Sequence, residues 1–237
     1  MPIESPHRPL TVAVVGATGL VGRTMIDILA ERDFPVGELR PLASRGGGRT
    51  TAVAGREWPV QVTTPEAFEG VDIAIFSAGG GTSKVFAPEA AARGAVVVDN
   101  SSQWRMDPGV PLVVAGVNDE DAAAHEGIIA NPNCSTMQLM PLFKALRDSA
   151  GMKRVIVDTY QAVSGSGTKA VVELEEQVKA FAAGEELQVS VYPHQIAFNV
   201  LPHIDVVLED GYTKEEWKVI VETRKILHLP ELPVSCT

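Results

Sequence analysis

Leu10-Thr11-Val12-Ala13-Val14-Val15, followed at once by Gly16-Ala17-Thr18-Gly19-Leu20-Val21-Gly22, is the stretch that decides the fold. The first six residues are mostly apolar and β-branched. Such a run reads as a strand buried on both faces, the habit of parallel sheets. The glycine turn then opens a helical pattern with Met25, Ile26, Leu29 and Ala30 on one face. Strand, glycine turn and helix N-terminus in that order suit a pyrophosphate: the backbone comes close, and the helix end offers unpaired N–H groups and a positive dipole. The spacing Gly-x-x-Gly-x-x-Gly departs from the common Gly-x-Gly-x-x-Gly, and a turn of this kind also serves tight strand–helix packing alone. On the cofactor reading, Gly16, Thr18, Gly19, Leu20 and Val21 contact a dinucleotide.

The same grammar repeats downstream. Asp33 to Pro35 stop the helix, and residues 38–43 read as a second strand ending in Ser44-Arg45. A fold of this type that uses NAD places Asp or Glu there for the ribose hydroxyls. A hydroxyl and a guanidinium suit a 2′-phosphate instead, so NADP is expected, although a solvated Arg in a glycine loop reads the same way. A short strand around Val60-Gln61-Val62, a strand over 71–76, a helix over 84–93 and a strand over 95–99 follow. Ser77 and Gly79, after the strand over 71–76, should line the cofactor. The alternation predicts an α/β, Rossmann-like doubly wound parallel sheet.

The chain has 237 residues, a net charge of −10 and 45% hydrophobic residues. That composition is ordinary for a soluble globular protein, and its acidity argues against nucleic acid or an anionic membrane as partner. No apolar run approaches the roughly 20 residues that span a bilayer. Residues 1–9 read as a ragged lead-in without a signal-peptide core. Cys134 and Cys236 are far apart, so neither a disulfide framework nor a metal pair is expected. A reduced, cytoplasmic protein is the simplest reading.

The candidate nucleophile lies in Asn131-Pro132-Asn133-Cys134-Ser135-Thr136, between an apolar stretch and a helix-like segment that runs to Arg147. Asn-Pro-Asn supplies a tight approach and a polar cap. A thiol at a helix start is favoured as thiolate, whereas a buried cysteine is usually inert packing. A thiolate beside a nicotinamide suggests attack on an aldehyde, hydride transfer and a thioester left for an acceptor. The domain boundary is expected at Asn133, giving a cofactor domain over 1–133 and an α+β substrate and dimerisation domain over 134–237. In the second domain the spacing predicts a strand over 154–160, a loop over 161–167, an acidic helix capped by Thr168 and a last helix with a Thr213/Glu216 capping box.

The motifs together resemble the aspartate-semialdehyde dehydrogenase family. They are the glycine turn, Ser101-Ser102-Gln103-Trp104-Arg105-Met106-Asp107, Asn131 to Thr136, Gln161-Ala162-Val163-Ser164-Gly165-Ser166-Gly167, and Glu215-Glu216-Trp217-Lys218 with residues 222–227. The resemblance covers nearly the whole chain in order. It implies reversible conversion of aspartate semialdehyde, NADP and phosphate to aspartyl phosphate and NADPH, on the route to lysine, threonine and methionine. It implies Cys134 as thioester nucleophile and Gln161 as the residue orienting substrate beside it. Arg105 and Lys218 become phosphate-binding cations, with Asn133 helping to form that site. Glu216 becomes the carboxylate that meets the substrate's amino group, although Glu216 and Lys218 also read as a solvated helix face. Ser164 and Gly165 become cofactor contacts, and a homodimer forms through the second domain. No metal is implied.

The family also uses an Arg for the substrate carboxylate and a His as general acid/base, in a segment expected just after Thr237. His7, His125, His194, His203 and His228 do not match that context. The resemblance therefore implies a C-terminally truncated enzyme, inactive or weak, since a missing acid/base partner costs roughly 10²–10⁴-fold. The competing readings are an N-acetyl-γ-glutamyl-phosphate reductase and a non-catalytic NADP-binding fragment.

Overall fold

The computed structural model describes residues 8–46, 48–53 and 55–237. Most of the expected lead-in, up to His7, and Gly47 of the glycine loop lie outside them. The chain divides into two units. The first runs to Gly151 and takes in Glu222–Glu231; the second comprises Met152–Val221 and Leu232–Thr237.

The first unit is built on β1 (Leu10–Val15), which pairs in parallel with β2 (Val36–Ala43) and β6 (Ile73–Phe76). β5 (Gln61–Val62), β7 (Val96–Asp99) and β8 (Ile128–Ala130) complete a parallel sheet of order β5-β2-β1-β6-β7-β8. Val12, Ala13, Val14 and Val15 are 0% exposed. Alternate residues feed two cores: Val12 and Val14 pack with Ile26 of α1 (Leu20–Glu31), and Ala13 and Val15 with Ala87 and Ala90 of α2 (Gly80–Ala92). That two-sided cover is what makes the strand continuously apolar. Phe68 and Phe76 stack at 5.8 Å in the second core, and each buried ring contributes about 1.5–3 kcal/mol.

The sequence reading missed four strands of the chain. Thr50–Val53 (β3) and Arg56–Pro59 (β4) form an antiparallel hairpin. The stretch after Gly127 is strand β8, and Val234–Cys236 (β10) pairs in parallel with β9 (Val155–Val157). The division of the first unit at Gly151, not Asn133, keeps α3 (Cys134–Ala150) with the cofactor sheet. A long-range bond contributes: the amide of Asn133, at the head of α3, donates to Glu222 of the same unit.

In the second unit, α4 (Thr168–Ala183) starts one residue earlier than expected, with Gly167 at φ +89° as its N-cap and no side-chain cap. Its inner face carries buried Glu173 and Gln177. Glu173 accepts from Ser190 Oγ at 2.7 Å and from the Ser190 and Val191 amides. Gln177 Oε1 accepts from the Ile196 and Ala197 amides at 3.0 and 2.9 Å. An acidic helix thus anchors the irregular stretch that follows it. α5 (Lys214–Ile226) begins in this unit and ends in the first.

Candidate active site

The glycine turn sits where the sheet order reverses, at the adjoining carboxyl ends of β1 and β6, the crevice in which such sheets bind ligands. Gly16 has φ +89°, and a Cβ there would stand 2.6 Å from the Ser77 carbonyl oxygen. A Cβ on Gly22 would stand 2.2 Å from the Gly16 carbonyl oxygen. The turn is therefore pressed between strand β6 and helix α1, which leaves room for backbone and nothing more. Gly19 caps α1 without a side-chain bond, and the first turn holds no acidic residue. Such an end presents free amides to an anion.

Gly16, Thr18, Gly19, Leu20, Val21, Ser77 and Gly79 are thus gathered along one sheet edge. Ser44 and Arg45 are exposed just past the end of β2, the strand next to β1. Sequence reasoning missed Arg23 and Arg49. With Thr18, Thr50 and Thr51 they line a cleft of about 410 Å³ beside the turn. Arg23 follows Gly19 by one helical turn, a signal that was available. Arg49 was hidden by the glycine run that precedes its hairpin.

Asn133 is the N-cap of α3: its Oδ1 accepts from the Ser135 amide at 2.8 Å and the Thr136 amide at 3.4 Å. Cys134 is the first helical residue and is exposed, between buried Asn133 and Ser135. Arg105 is only 7% exposed. Its Nε donates to the Asn131 carbonyl at 2.9 Å, Nη2 to the Asn100 carbonyl at 3.0 Å and Nη1 to Glu222 Oε1 at 3.0 Å. The other oxygen of Glu222 accepts the Asn133 amide at 2.7 Å. Burial pushes the Glu222 carboxyl above the usual range, against the opposing pull of Arg105.

In the second unit, Gln161 Nε2 donates to Glu215 Oε1 at 3.2 Å. Lys218 Nζ donates to Glu215 Oε2 at 3.2 Å and to Asp205 Oδ2 at 2.9 Å. Burial lowers the Lys218 pKa, but the two carboxylates outweigh it and the net shift is upward. Glu216, expected to be the substrate-facing carboxylate, is engaged in the cap of α5. Its Oε2 accepts the Thr213 amide at 2.5 Å while its own amide bonds Thr213 Oγ1, so it closes the capping box. Glu215 is the carboxylate beside Gln161 and Lys218. Gln161, Glu215, Glu216 and Cys236 line a small pocket of about 50 Å³ with His203. Cys236 is not a second nucleophile: burial pushes its thiol to about 11. Ser164 and Gly165 lie exposed on a short 3-10 turn of this unit.

Two of the histidines have visible structural work. His125 Nδ1 accepts the Gly127 amide at 2.9 Å, and His228 meets Asp121 at 3.0 Å. His7 lies outside the described residues. Among the described residues, no cluster of three or more His, Cys, Asp or Glu could hold a metal. No helix among them is long and apolar enough to cross a membrane.

Known proteins match this arrangement. Residues 11–125 match the family "Semialdehyde dehydrogenase, NAD binding domain", and residues 141–237 match "Semialdehyde dehydrogenase, dimerisation domain". The aspartate-semialdehyde dehydrogenase of Aquifex aeolicus is 56% identical over 231 residues, 95% of this chain and 68% of that protein. That of Bacillus subtilis is 50% identical over 238 residues, covering 97% and 69%. The crystal structure of aspartate semialdehyde dehydrogenase II from Vibrio cholerae superposes with a TM-score of 0.94 at 45% identity, covering 97% of this chain and 70% of that one. A second Vibrio cholerae structure, complexed with ASA, gives 0.92 at 44% identity. With the nucleotide-binding sheet, the capped cysteine and these matches together, the chain belongs to the aspartate-semialdehyde dehydrogenase family.

Proposed function

We propose that the chain carries the nucleophile and the cofactor- and phosphate-binding residues for NADP- and phosphate-dependent oxidation of L-aspartate 4-semialdehyde to L-4-aspartyl phosphate, run physiologically as the reduction that leads to lysine, threonine and methionine. The observation that carries this reading is Cys134, exposed as the first residue of α3 behind a side-chain-capped Asn133. Cys134 Sγ adds to the aldehyde carbon. Loss of hydride from that carbon leaves a thioester on Cys134. A phosphate oxygen then attacks the thioester carbon, and the thiolate leaves. When bound, NADP supplies the hydride acceptor.

The turn from Gly16 to Gly22 fits that cofactor, because a Cβ would fill the space its backbone needs. Gly16, Thr18, Gly19, Leu20, Val21, Ser77 and Gly79 would hold the nucleotide, and the family resemblance adds Ser164 and Gly165 as cofactor contacts. Ser44 and Arg45 favour a 2′-phosphate over two ribose hydroxyls. The resemblance assigns substrate orientation to Gln161 and phosphate binding to Lys218, Arg105 and Asn133. Glu215 takes the role first assigned to Glu216, meeting the substrate's ammonium, because its carboxylate stands with Gln161 and Lys218. Exposed Ile156, Tyr160, Phe181 and Phe198 on the second unit support a homodimer closed through that unit.

The test is phosphate-dependent NADP reduction with aspartate semialdehyde, followed at the nicotinamide absorbance. Turnover lost in Cys134→Ala supports the proposal. Turnover that survives Cys134→Ala, or proceeds equally with N-acetyl-glutamate semialdehyde, refutes it.

A further inference from the structure

Glu222 is 1% exposed, and nothing in the proposed chemistry uses it. A carboxylate that deep is costly unless both oxygens are engaged. One oxygen takes Arg105 Nη1 at 3.0 Å and the other takes the Asn133 amide at 2.7 Å. Asn133 in turn caps α3 and immediately precedes Cys134. The same end of α5 makes a second clamp: Lys225 Nζ donates to the carbonyls of Arg105, Asp107 and Val110 at 2.8, 2.9 and 3.0 Å. The loop carrying Arg105 and the turn carrying Cys134 are therefore both tied to one helical segment, with Glu222 at the junction.

We propose that Glu222 is a positioning residue for the nucleophile: its buried carboxylate, shared between the Arg105 guanidinium and the Asn133 amide, fixes the Asn133 cap and balances the charge of Arg105, which holds the turn leading to Cys134 through the Asn131 carbonyl. A merely structural carboxylate would pack and satisfy donors. This one also sets the local charge, because Arg105 is the charged side chain in contact with it and Cys134 is one residue from its other donor. Removing its charge while keeping its shape leaves Arg105 uncompensated, and a nearby positive charge favours a thiolate. Shortening it by one methylene keeps the charge but breaks the bridge.

The inference rests on the reading of Cys134 as nucleophile, but it is read on the thiol itself and not on turnover. Iodoacetamide alkylation of the full chain is followed at the Cys134 peptide by mass spectrometry across pH, with circular dichroism as the folding control. Glu222→Gln moves the alkylation midpoint down by about 0.5–1 pH unit, which makes alkylation about three- to tenfold faster well below the midpoint. Glu222→Asp leaves the midpoint in place but speeds amide hydrogen exchange at Ser135 and Thr136 about tenfold, as a loosened cap should. If Glu222→Gln fails to fold, the exchange rates in Glu222→Asp decide the matter. Folded variants whose alkylation profile and exchange rates both superimpose on the parent overturn the proposal. Loss of turnover with these shifts intact would count against the dehydrogenase reading and not against this one.

Discussion

Gly22→Ala sets two effects of known sign against each other at one position. Gly22 is the third residue of α1. Helix propensity alone favours the substitution, since Ala is better than Gly in a helix interior by about 0.5–1 kcal/mol. Packing opposes it. The new Cβ would lie 2.2 Å from the Gly16 carbonyl oxygen, 2.8 Å from its carbon and 3.1 Å from Ala17 Cα. All three are backbone atoms, so no rotamer change relieves the contact. Gly16 cannot retreat freely, because its amide donates to the Leu42 carbonyl at 2.8 Å and its own carbonyl accepts the Gly19 amide at 3.0 Å. Separating helix from turn costs about 1–3 kcal/mol as overpacking and about 1 kcal/mol for a weakened hydrogen bond. The clash wins, leaving a net loss of about 1–3 kcal/mol, or a fall of about 3–10 °C in melting temperature. Gly81→Ala is the matched control: it also lies in the first turn of a helix, but a Cβ there meets nothing within 4 Å. It should be neutral or stabilise by up to about 1 kcal/mol. Urea unfolding followed by tryptophan fluorescence, with NADPH binding measured in parallel, checks both. A Gly22→Ala protein as stable as the parent, with unchanged NADPH affinity, would refute the claim that this turn is shaped by backbone contact.

Three further outcomes follow from single contacts. Asn133→Ala removes the cap of α3 and should cost about 1–2 kcal/mol by urea unfolding, while Asn133→Ser recovers much of it. Arg45→Ala should weaken NADP binding at least tenfold by calorimetry and leave NAD binding alone; equal losses for both would remove the 2′-phosphate role. Burial alone would raise the Glu173 carboxyl, but donors from Ser190 and Val191 outweigh it and hold its pKa below normal. Its stabilising effect is then complete above the unfolded carboxylate value of about 4.3 and is lost as pH falls through the lower folded value. The stability gap between the parent and Glu173→Gln should be widest near neutral pH and narrow below about pH 4, and a gap constant down to pH 2 would contradict that assignment.

The sheet was legible because its signal is local. A strand buried on both faces must be apolar at every position, and Val12 to Val15 are. Strands β8 and β10 were not legible, being short and fixed by pairing with partners far along the chain; the hairpin β3–β4 pairs locally, but its strands are only four residues each. The place of α3 was not legible for the same reason: a long-range bond, Asn133 to Glu222, ties it to the first unit. The site divides along similar lines. Cys134 and its cap could be read from adjacent residues. The Glu215–Glu216 choice could have been read too. Thr213-x-x-Glu216 is a capping box, and a carboxylate committed to the Thr213 amide is poorly placed to meet a substrate ammonium. Recognising the cap would have offered Glu215 as the carboxylate to propose, since it precedes Lys218 by three residues and so shares its helix face. Glu215→Gln should then raise the KM for aspartate semialdehyde at least tenfold with little loss of stability. Glu216→Gln should cost about 0.5–2 kcal/mol of stability and leave KM alone. The reverse pattern would return the role to Glu216 and make its bond to Thr213 incidental.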